Sequence, residues 1–219
     1  GKRIKTGTRL TVGHNGTAVE ATVTEEHEEN ERVIEFAEPI RAFLDDIGET
    51  PLPPYITTPM NDPERYQTIY ARHDGSAAAP TAGLHFTGDM LISLSRQGID
   101  MAYCTLHIGL DTFSPVREEN IAEHRMHTER SVLTAENAQK INNARLHGHR
   151  IVAVGTTSVR TIETAAIRSA AYGAEFNDPA SIRRTLTQMN ANLCPWRPVI
   201  AIDEDTDLYI TPGYKFRAV

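Results

Sequence analysis

Arg150-Ile-Val-Ala-Val-Gly-Thr-Thr-Ser-Val-Arg160 is the stretch on which the fold class turns. An apolar run of strand length, Ile151 to Val154, stops at a glycine and passes into three hydroxyls and a helix start. Short runs that are apolar throughout mark strands covered on both faces, as in parallel sheets. Thr156 or Thr157 caps the following helix, which the pattern carries to about Ala171. Outward from here the rhythm repeats. Thr134 caps a helix with Ala138, Ile141 and Ala144 on one face, ending near His147-Gly148. Thr87 to Gln97 predicts another helix, stopped by Gly98, and Ile99 to Ile108 a strand. Asp62-Pro63 sets an N-cap before a proline at the first helical position and predicts a helix to about Arg72. Asp207-Leu-Tyr-Ile210 predicts a final strand, and residues 173 to 198 form an irregular excursion. This alternation points to an α/β domain with a mostly parallel sheet or barrel.

The first fifty residues differ. Thr8 to Val12, Thr17 to Val23 and Arg32 to Phe36 alternate with period two, and His14-Asn-Gly16 supplies a hairpin turn between the first two. Glu25-Glu-His-Glu-Glu-Asn-Glu31 reads as a solvated loop tip, and residues 39 to 48 as a short helix stopped by Gly48. Pro51-Leu-Pro-Pro-Tyr-Ile56 is stiff and extended, which makes it the junction between a β-rich module, residues 1–50, and the α/β part, residues 51–219.

Bulk numbers narrow the classes. The chain has 219 residues, 40% hydrophobic and 23% charged, which fits a folded, water-soluble protein. No apolar run is long enough to cross a bilayer, and Gly1-Lys-Arg-Ile-Lys-Thr6 has no signal-peptide core. Cys104 and Cys194 stand far apart in no metal-type spacing, which favours a reducing, cytoplasmic setting. The formal charge of -7 does not advertise a nucleic-acid binder, but the acids crowd early: residues 1–60 hold 11 acids against 6 bases. The remainder is near balance and carries Arg65, Arg72, Arg117, Arg125, Arg150 and Arg160, so a local basic patch remains open.

Three stretches could carry chemistry. Val154-Gly-Thr-Thr-Ser158 presents hydroxyls and unpaired amides at a helix start, where anions are favoured by about 0.3–1 kcal/mol each, and Arg160 adds a fork for phosphate or carboxylate. It lacks the Gly-Lys-Ser/Thr of a Walker loop and the glycines of a dinucleotide fingerprint. Gly75-Ser-Ala-Ala-Ala-Pro-Thr-Ala-Gly-Leu-His-Phe-Thr87 is poor in large apolar residues; its glycines admit close backbone approach to a ligand, and it holds His85. Thr105-Leu-His-Ile-Gly-Leu-Asp111 puts His107 near a strand end with Asp111 just beyond, an imidazole and a carboxylate that could form an oriented base. Each has a plainer alternative: a capped helix, a surface connection, a buried structural histidine. Glu123-His-Arg-Met-His127 spaces two imidazoles three apart without a third ligand, so no metal is expected.

Taken in order, these segments strongly resemble the S-adenosylmethionine:tRNA ribosyltransferase-isomerases of queuosine synthesis. The likeness rests on Pro51-Leu-Pro-Pro-Tyr-Ile56, Arg65-Tyr-Gln-Thr-Ile-Tyr-Ala71, Ala79-Pro-Thr-Ala-Gly-Leu-His-Phe-Thr87 and Thr105-Leu-His-Ile-Gly109. It continues through Thr112-Phe-Ser-Pro-Val116, Glu123-His-Arg-Met-His127, Val154-Gly-Thr-Thr-Ser-Val-Arg160 and Tyr209-Ile-Thr-Pro-Gly-Tyr214. The resemblance implies an incomplete α/β-barrel-like catalytic domain joined to a small β-barrel-like domain. It implies transfer and isomerisation of the ribosyl group of S-adenosylmethionine onto 7-aminomethyl-7-deazaguanine at the tRNA wobble position. The products are epoxyqueuosine, adenine and methionine, and no metal takes part. A monomer without membrane attachment is expected.

That chemistry needs a base for the acidified C5′ proton, for which His85 and His107 are the candidates, with Asp111 as orienter. Gly83, Thr156, Thr157 and Ser158 are expected on the cofactor, and Arg65, Tyr66 and Arg160 at the tRNA or methionine end. The chain departs from the family at Leu110 and Asp111, where small residues and glycine are usual, and residues 167–205 look longer than the usual connection. The family's Arg-Asp-x-Ser-Arg segment would precede Gly1 and its Thr-Asn-Phe-His-Leu-Pro segment would follow Val219. A barrel without those parts exposes strand edges, so the chain alone is expected to be poorly active. Two other readings stand beside this one: a noncatalytic tRNA- or nucleoside-binding module, and a phosphate-binding α/β enzyme unrelated to RNA.

Overall fold

The computed structural model describes residues 4–14, 16–27, 31–53, 56–58, 62–109, 129–170 and 198–219. They fall into two compact units, Gly1–Pro51 and Leu52–Val219.

In the first unit, β1 (Arg9–His14), β2 (Thr17–Glu26) and β3 (Arg32–Phe36) form an antiparallel sheet in chain order. Period-two patterning works as the sequence suggests: Val19, Ala21 and Val23 are buried along one face of β2, while Glu20 faces water and accepts from Thr11 Oγ1 at 2.8 Å across the ladder. The register of β2 on β3 shifts between Val23 and Glu25, a bulge that bends the strand. Part of the acidic run is strand rather than loop. Glu26 sits opposite Arg32 and pairs with it at 3.3 Å, and the His27 N–H donates to Glu31 O at 3.0 Å beyond them. The short helix α1 (Leu44–Ile47) follows a 3-10 turn, Ile40–Ala42, and packs on β1 and β2. Gly48 stops α1 in an extended conformation, its N–H reaching Leu44 O at 2.8 Å.

The second unit contains α2 (Gly88–Arg96), β4 (Thr105–His107), β5 (Glu129–Leu133), α3 (Ala135–Leu146), α4 (Thr156–Ala170) and β6 (Ile202–Thr206). The strands form one sheet, β4-β5-β6, and both pairings are antiparallel. This corrects the expectation of a mostly parallel sheet. Apolar composition reports burial, not strand direction. The run at Arg150–Val154 forms no ladder among the described residues, and Val152 is 77% exposed. The strand expected over Ile99–Ile108 shortens to Thr105–His107. The final strand is Ile202-Asp-Glu-Asp-Thr206 rather than Asp207–Ile210; its three acids hide it from an apolar search, although Ile202 and Thr206 are buried. The helix expected to run from Pro63 to about Arg72 is one 3-10 turn, Pro63–Tyr66, capped by Asp62 Oδ1 on the Glu64 N–H at 3.2 Å.

Helix α4 lies on one face of this sheet and touches all three strands. Ile162, Ala165 and Ala166 meet Leu133 and Ile202, and α3 adds Ala138 and Ile141 to the same core. Asn142 extends the contact: its side chain accepts from Val199 N–H and donates to Val199 O, both at 2.8 Å, as a strand partner would. The starts of α2 and α3 are those the sequence marks, whereas α4 holds both Thr156 and Thr157 within its first turn rather than as its cap. Thr87 accepts from the Met90 N–H at 3.2 Å, and Thr134 accepts from the Asn137 N–H at 3.3 Å and from Asn137 Nδ2 at 2.9 Å. Thr134→Ala is expected to cost about 1 kcal/mol, lowering Tm by roughly 2–4 °C in thermal unfolding. An unchanged midpoint would show that the cap contributes nothing.

Candidate active site

Strand β4 separates two environments. Period two sends Cys104, Leu106 and Ile108 toward the α4 side, where they line a cavity of about 70 Å³, and turns Thr105 and His107 to the other face. Thr157 and Ser158, from the first turn of α4, close the cavity on one side, and Tyr70, Ala78 and Pro80 close it on another. The small-residue loop is pinned to the strand end. The Ala77 N–H donates to Ile108 O at 2.8 Å; Ser76 Oγ accepts from the Ile108 N–H at 3.1 Å and donates to Ala78 O at 2.9 Å. Ser158 Oγ donates to Val154 O at 2.9 Å, tying the start of α4 to the segment before it. Burial pushes the Tyr70 hydroxyl and the Cys104 thiol up, so both remain protonated donors at neutral pH.

Gly83 is buried in the 3-10 turn Thr81–His85, and a Cβ there would collide with Tyr70 Oη and stand 2.8 Å from Thr68 Cγ2. Only glycine lets Tyr70 lie across this turn. His85 ends the same turn and is exposed. The turn carrying Arg65 and Tyr66 packs against it, so Gly83, His85, Arg65 and Tyr66 share one neighbourhood.

On the far face of the sheet, His107 stands opposite Arg130, and Arg130 opposite Asp205. Arg130 makes a bidentate fork to Asp203, Nε to Oδ1 at 2.8 Å and Nη2 to Oδ2 at 3.1 Å. That fork holds the Asp203 carboxyl below its usual range, and His107 adds to the effect. Gly75, at φ +115°, presses on the imidazole: a Cβ would lie 3.3 Å from His107 Nδ1. The polar face thus brings one imidazole, one guanidinium and two carboxylates onto adjacent rungs.

Of the residues singled out from sequence, Thr157 and Ser158 come together with the 75–80 loop, and Thr156 is exposed at the head of α4. His107 belongs to the opposite side of β4 from that cavity. Arg160, expected at the tRNA or methionine end, is buried instead. Its Nη1 donates to Glu129 and its Nη2 to Thr206 O at 3.0 Å, since the second turn of α4 faces β5 and β6. Asp111 and Glu123–His127 lie outside the described residues. Among the described residues no group of three His, Cys, Asp or Glu could hold a metal ion, and no helix is long and apolar enough to cross a membrane. Sequence reasoning missed Tyr70, Cys104, Leu106 and Ile108 as a lining. Alternation along β4 puts Cys104, Leu106 and Ile108 on the face opposite His107; nothing local marks Tyr70.

The family described as "Queuosine biosynthesis protein" matches residues 1–219. An S-adenosylmethionine:tRNA ribosyltransferase-isomerase of Clostridioides difficile (strain 630) is 40% identical over 221 residues, covering 100% of this chain and 56% of its own length. One from Staphylococcus epidermidis (strain ATCC 12228 / FDA PCI 1200) is 41% identical over 220 residues with the same coverage. The chain thus spans about half the length of the curated relatives it matches.

Proposed function

Because this chain belongs to the queuosine biosynthesis protein family, we propose that it serves the ribosyl transfer for which its relatives are named. The substrates are S-adenosylmethionine and a tRNA carrying 7-aminomethyl-7-deazaguanine at the wobble position; the products are epoxyqueuosine, adenine and methionine. The observation that carries this reading is the family match along every residue of the chain, at 40–41% identity to relatives so named.

The chemistry fits the residues in a definite way. The sulfonium acidifies C5′, a neutral imidazole removes that proton, and adenine leaves from the ribose. The nucleobase amine then attacks the sugar and methionine departs as a thioether. His85, on the turn that packs against Tyr70 of the cavity lining, is the first candidate base; His107, with Asp111 as orienter, is the second and would act on a donor reached from the other face of β4. Gly83, Thr156, Thr157 and Ser158 hold the sulfonium nucleoside. Arg65 and Tyr66 meet the tRNA; Arg160 braces the sheet that carries the site, because its guanidinium already serves Glu129 and Thr206. Residues 51–219 supply the catalytic domain, whose sheet takes a barrel-like form in the whole protein, and residues 1–50 the small β-barrel-like domain. The protein acts as a cytoplasmic monomer without a metal.

The test is adenine release from S-adenosylmethionine, with and without the modified tRNA, in a protein carrying this chain at the full length of its relatives. Release that depends on the tRNA and falls in His85→Ala or His107→Ala is the expected result. Normal rates in both variants would remove the two imidazoles from the mechanism. Steeply salt-dependent tRNA binding without turnover would assign a noncatalytic module instead.

A further inference from the structure

We infer that the cavity between β4 and the start of α4 is the seat of the S-methyl group on the sulfonium, and that it sets the size limit on that substituent. The inference rests on the proposed ribosyl transfer and goes further, since it gives one part of the substrate an address.

Size decides first. A cavity of about 70 Å³ exceeds the share of one liquid water, about 30 Å³, and falls well below the roughly 150 Å³ that accommodates a benzene ring. It admits a methyl group, with the cationic sulfur left at its open mouth, and is too small to enclose a purine or a ribose. Charge decides next. Leu106, Ile108, Val154, Ala78 and Pro80 are apolar, and no ionised side chain lines the space, since burial keeps the Cys104 thiol protonated. The ammonium and carboxylate of the methionine portion would lose their hydration here without an opposite charge, at a cost of several kcal/mol. A phosphate meets the same objection, which removes the phosphate-binding reading at this place.

Polarity decides last. A methyl group on a sulfonium carries positively polarised C–H bonds that seek oxygen. Three lining residues, Tyr70, Thr157 and Ser158, carry hydroxyls on an otherwise largely hydrophobic wall, and Ser158 gives its proton to Val154 O. Gly83 lets Tyr70 lie where it does, and the hydrogen bonds of Ser76 and Ala77 to Ile108 fix the opposite wall. The space is therefore shaped by positions that the sequence already set apart by their small size.

The experiment compares S-adenosylmethionine with its S-ethyl analogue as ribosyl donors to modified tRNA, reading adenine release, in a protein carrying this chain at its relatives' full length. One methylene is worth about 10–200-fold in an apolar pocket, and that preference for methyl is expected in the unsubstituted protein. Cys104→Ala and Thr157→Ser each enlarge the space, and each is expected to shrink the preference about fivefold or more. The ratio is taken on one preparation, so partial loss of folded protein cancels. A parent that accepts both donors within about twofold, or a preference unmoved in both variants, would overturn the assignment while leaving the ribosyl transfer standing. Absence of adenine from either donor would remove the transfer itself and this inference with it.

Discussion

Arg160→Ala is expected to destabilise the chain by about 3–5 kcal/mol, because it strands the carboxylate of Glu129 in the core. Both partners are under a tenth exposed, and the guanidinium also donates to Thr206 O at 3.0 Å. One side chain on α4 thus ties β5 and β6 to the helix that covers them. For a chain of this size a loss of that order lowers Tm by roughly 6–20 °C, which thermal or urea unfolding resolves easily. Glu129→Ala should cost a similar amount for the mirror-image reason. The double replacement Arg160→Ala with Glu129→Ala should cost clearly less than the two single losses together, since no buried charge is then left alone. Additive losses across that cycle would mean the two groups do not depend on one another.

The outer pair of Arg130 and Asp203 is the useful contrast. Its geometry is as good, but the side chains are 61% and 56% exposed, so water screens the attraction and already solvates either group alone. Removing Arg130 should leave the unfolding midpoint almost where it was.

What the sequence revealed of this fold follows from which physical signals are local. Helix starts at Thr87 and Thr134 were legible because a cap is made by a side chain on its own helix. The hairpin of β1 and β2 was legible because alternation and the Gly16 turn sit side by side. The second sheet was not. Strand β5 buries Glu129, and β6 is Ile-Asp-Glu-Asp-Thr; Glu129 and Thr206 find their partners on α4, far away in sequence. Arg168 meets Glu204 in the same manner. A strand made tolerable by distant partners leaves no local trace. Conversely, the apolar run Ile151–Val154 looked like a buried strand, yet Val152 is exposed among the described residues.

The site divides along the same line. Small residues at 75–83 and hydroxyls at 156–158 were conspicuous in the sequence, and Ala78, Pro80, Thr157 and Ser158 do meet around one cavity. The imidazole of His107 was equally conspicuous, but which face it takes depends on the register of β4, and that depends on β5. Arg160 looked like a ligand fork because a guanidinium after a helix start often is one. Its commitment to Glu129 comes from a residue thirty-one positions away.

Glu163→Ala is the other substitution expected to cost about 3–5 kcal/mol, here by leaving donors unsatisfied rather than a charge unpaired. Glu163 is fully buried in α4, and its carboxylate accepts from four groups of the following segment. Tyr214 Oη donates at 3.0 Å, the Arg217 N–H at 2.9 Å, the Ala218 N–H at 2.8 Å and the Val219 N–H at 3.3 Å. Burial, with the Glu163 charge second, pushes the Tyr214 hydroxyl far up, so it stays a donor throughout the ordinary pH range. Alanine would orphan all four donors at about 1–3 kcal/mol each before relaxation, and release of residues 214–219 from α4 recovers part of that. Ala218 would leave the core with them. Glu163→Gln keeps one acceptor oxygen but turns an amide N–H₂ toward the backbone amides, so it should lose more than Tyr214→Phe, which forfeits one bond worth about 1–2 kcal/mol. Two readouts separate this from a general weakening of the core. Amide exchange at residues 217–219 should accelerate by more than exchange in α3 in Glu163→Gln, while in Thr134→Ala the order should reverse. Equal acceleration everywhere would show that the carboxylate stabilises the unit as a whole and does not specifically hold this segment.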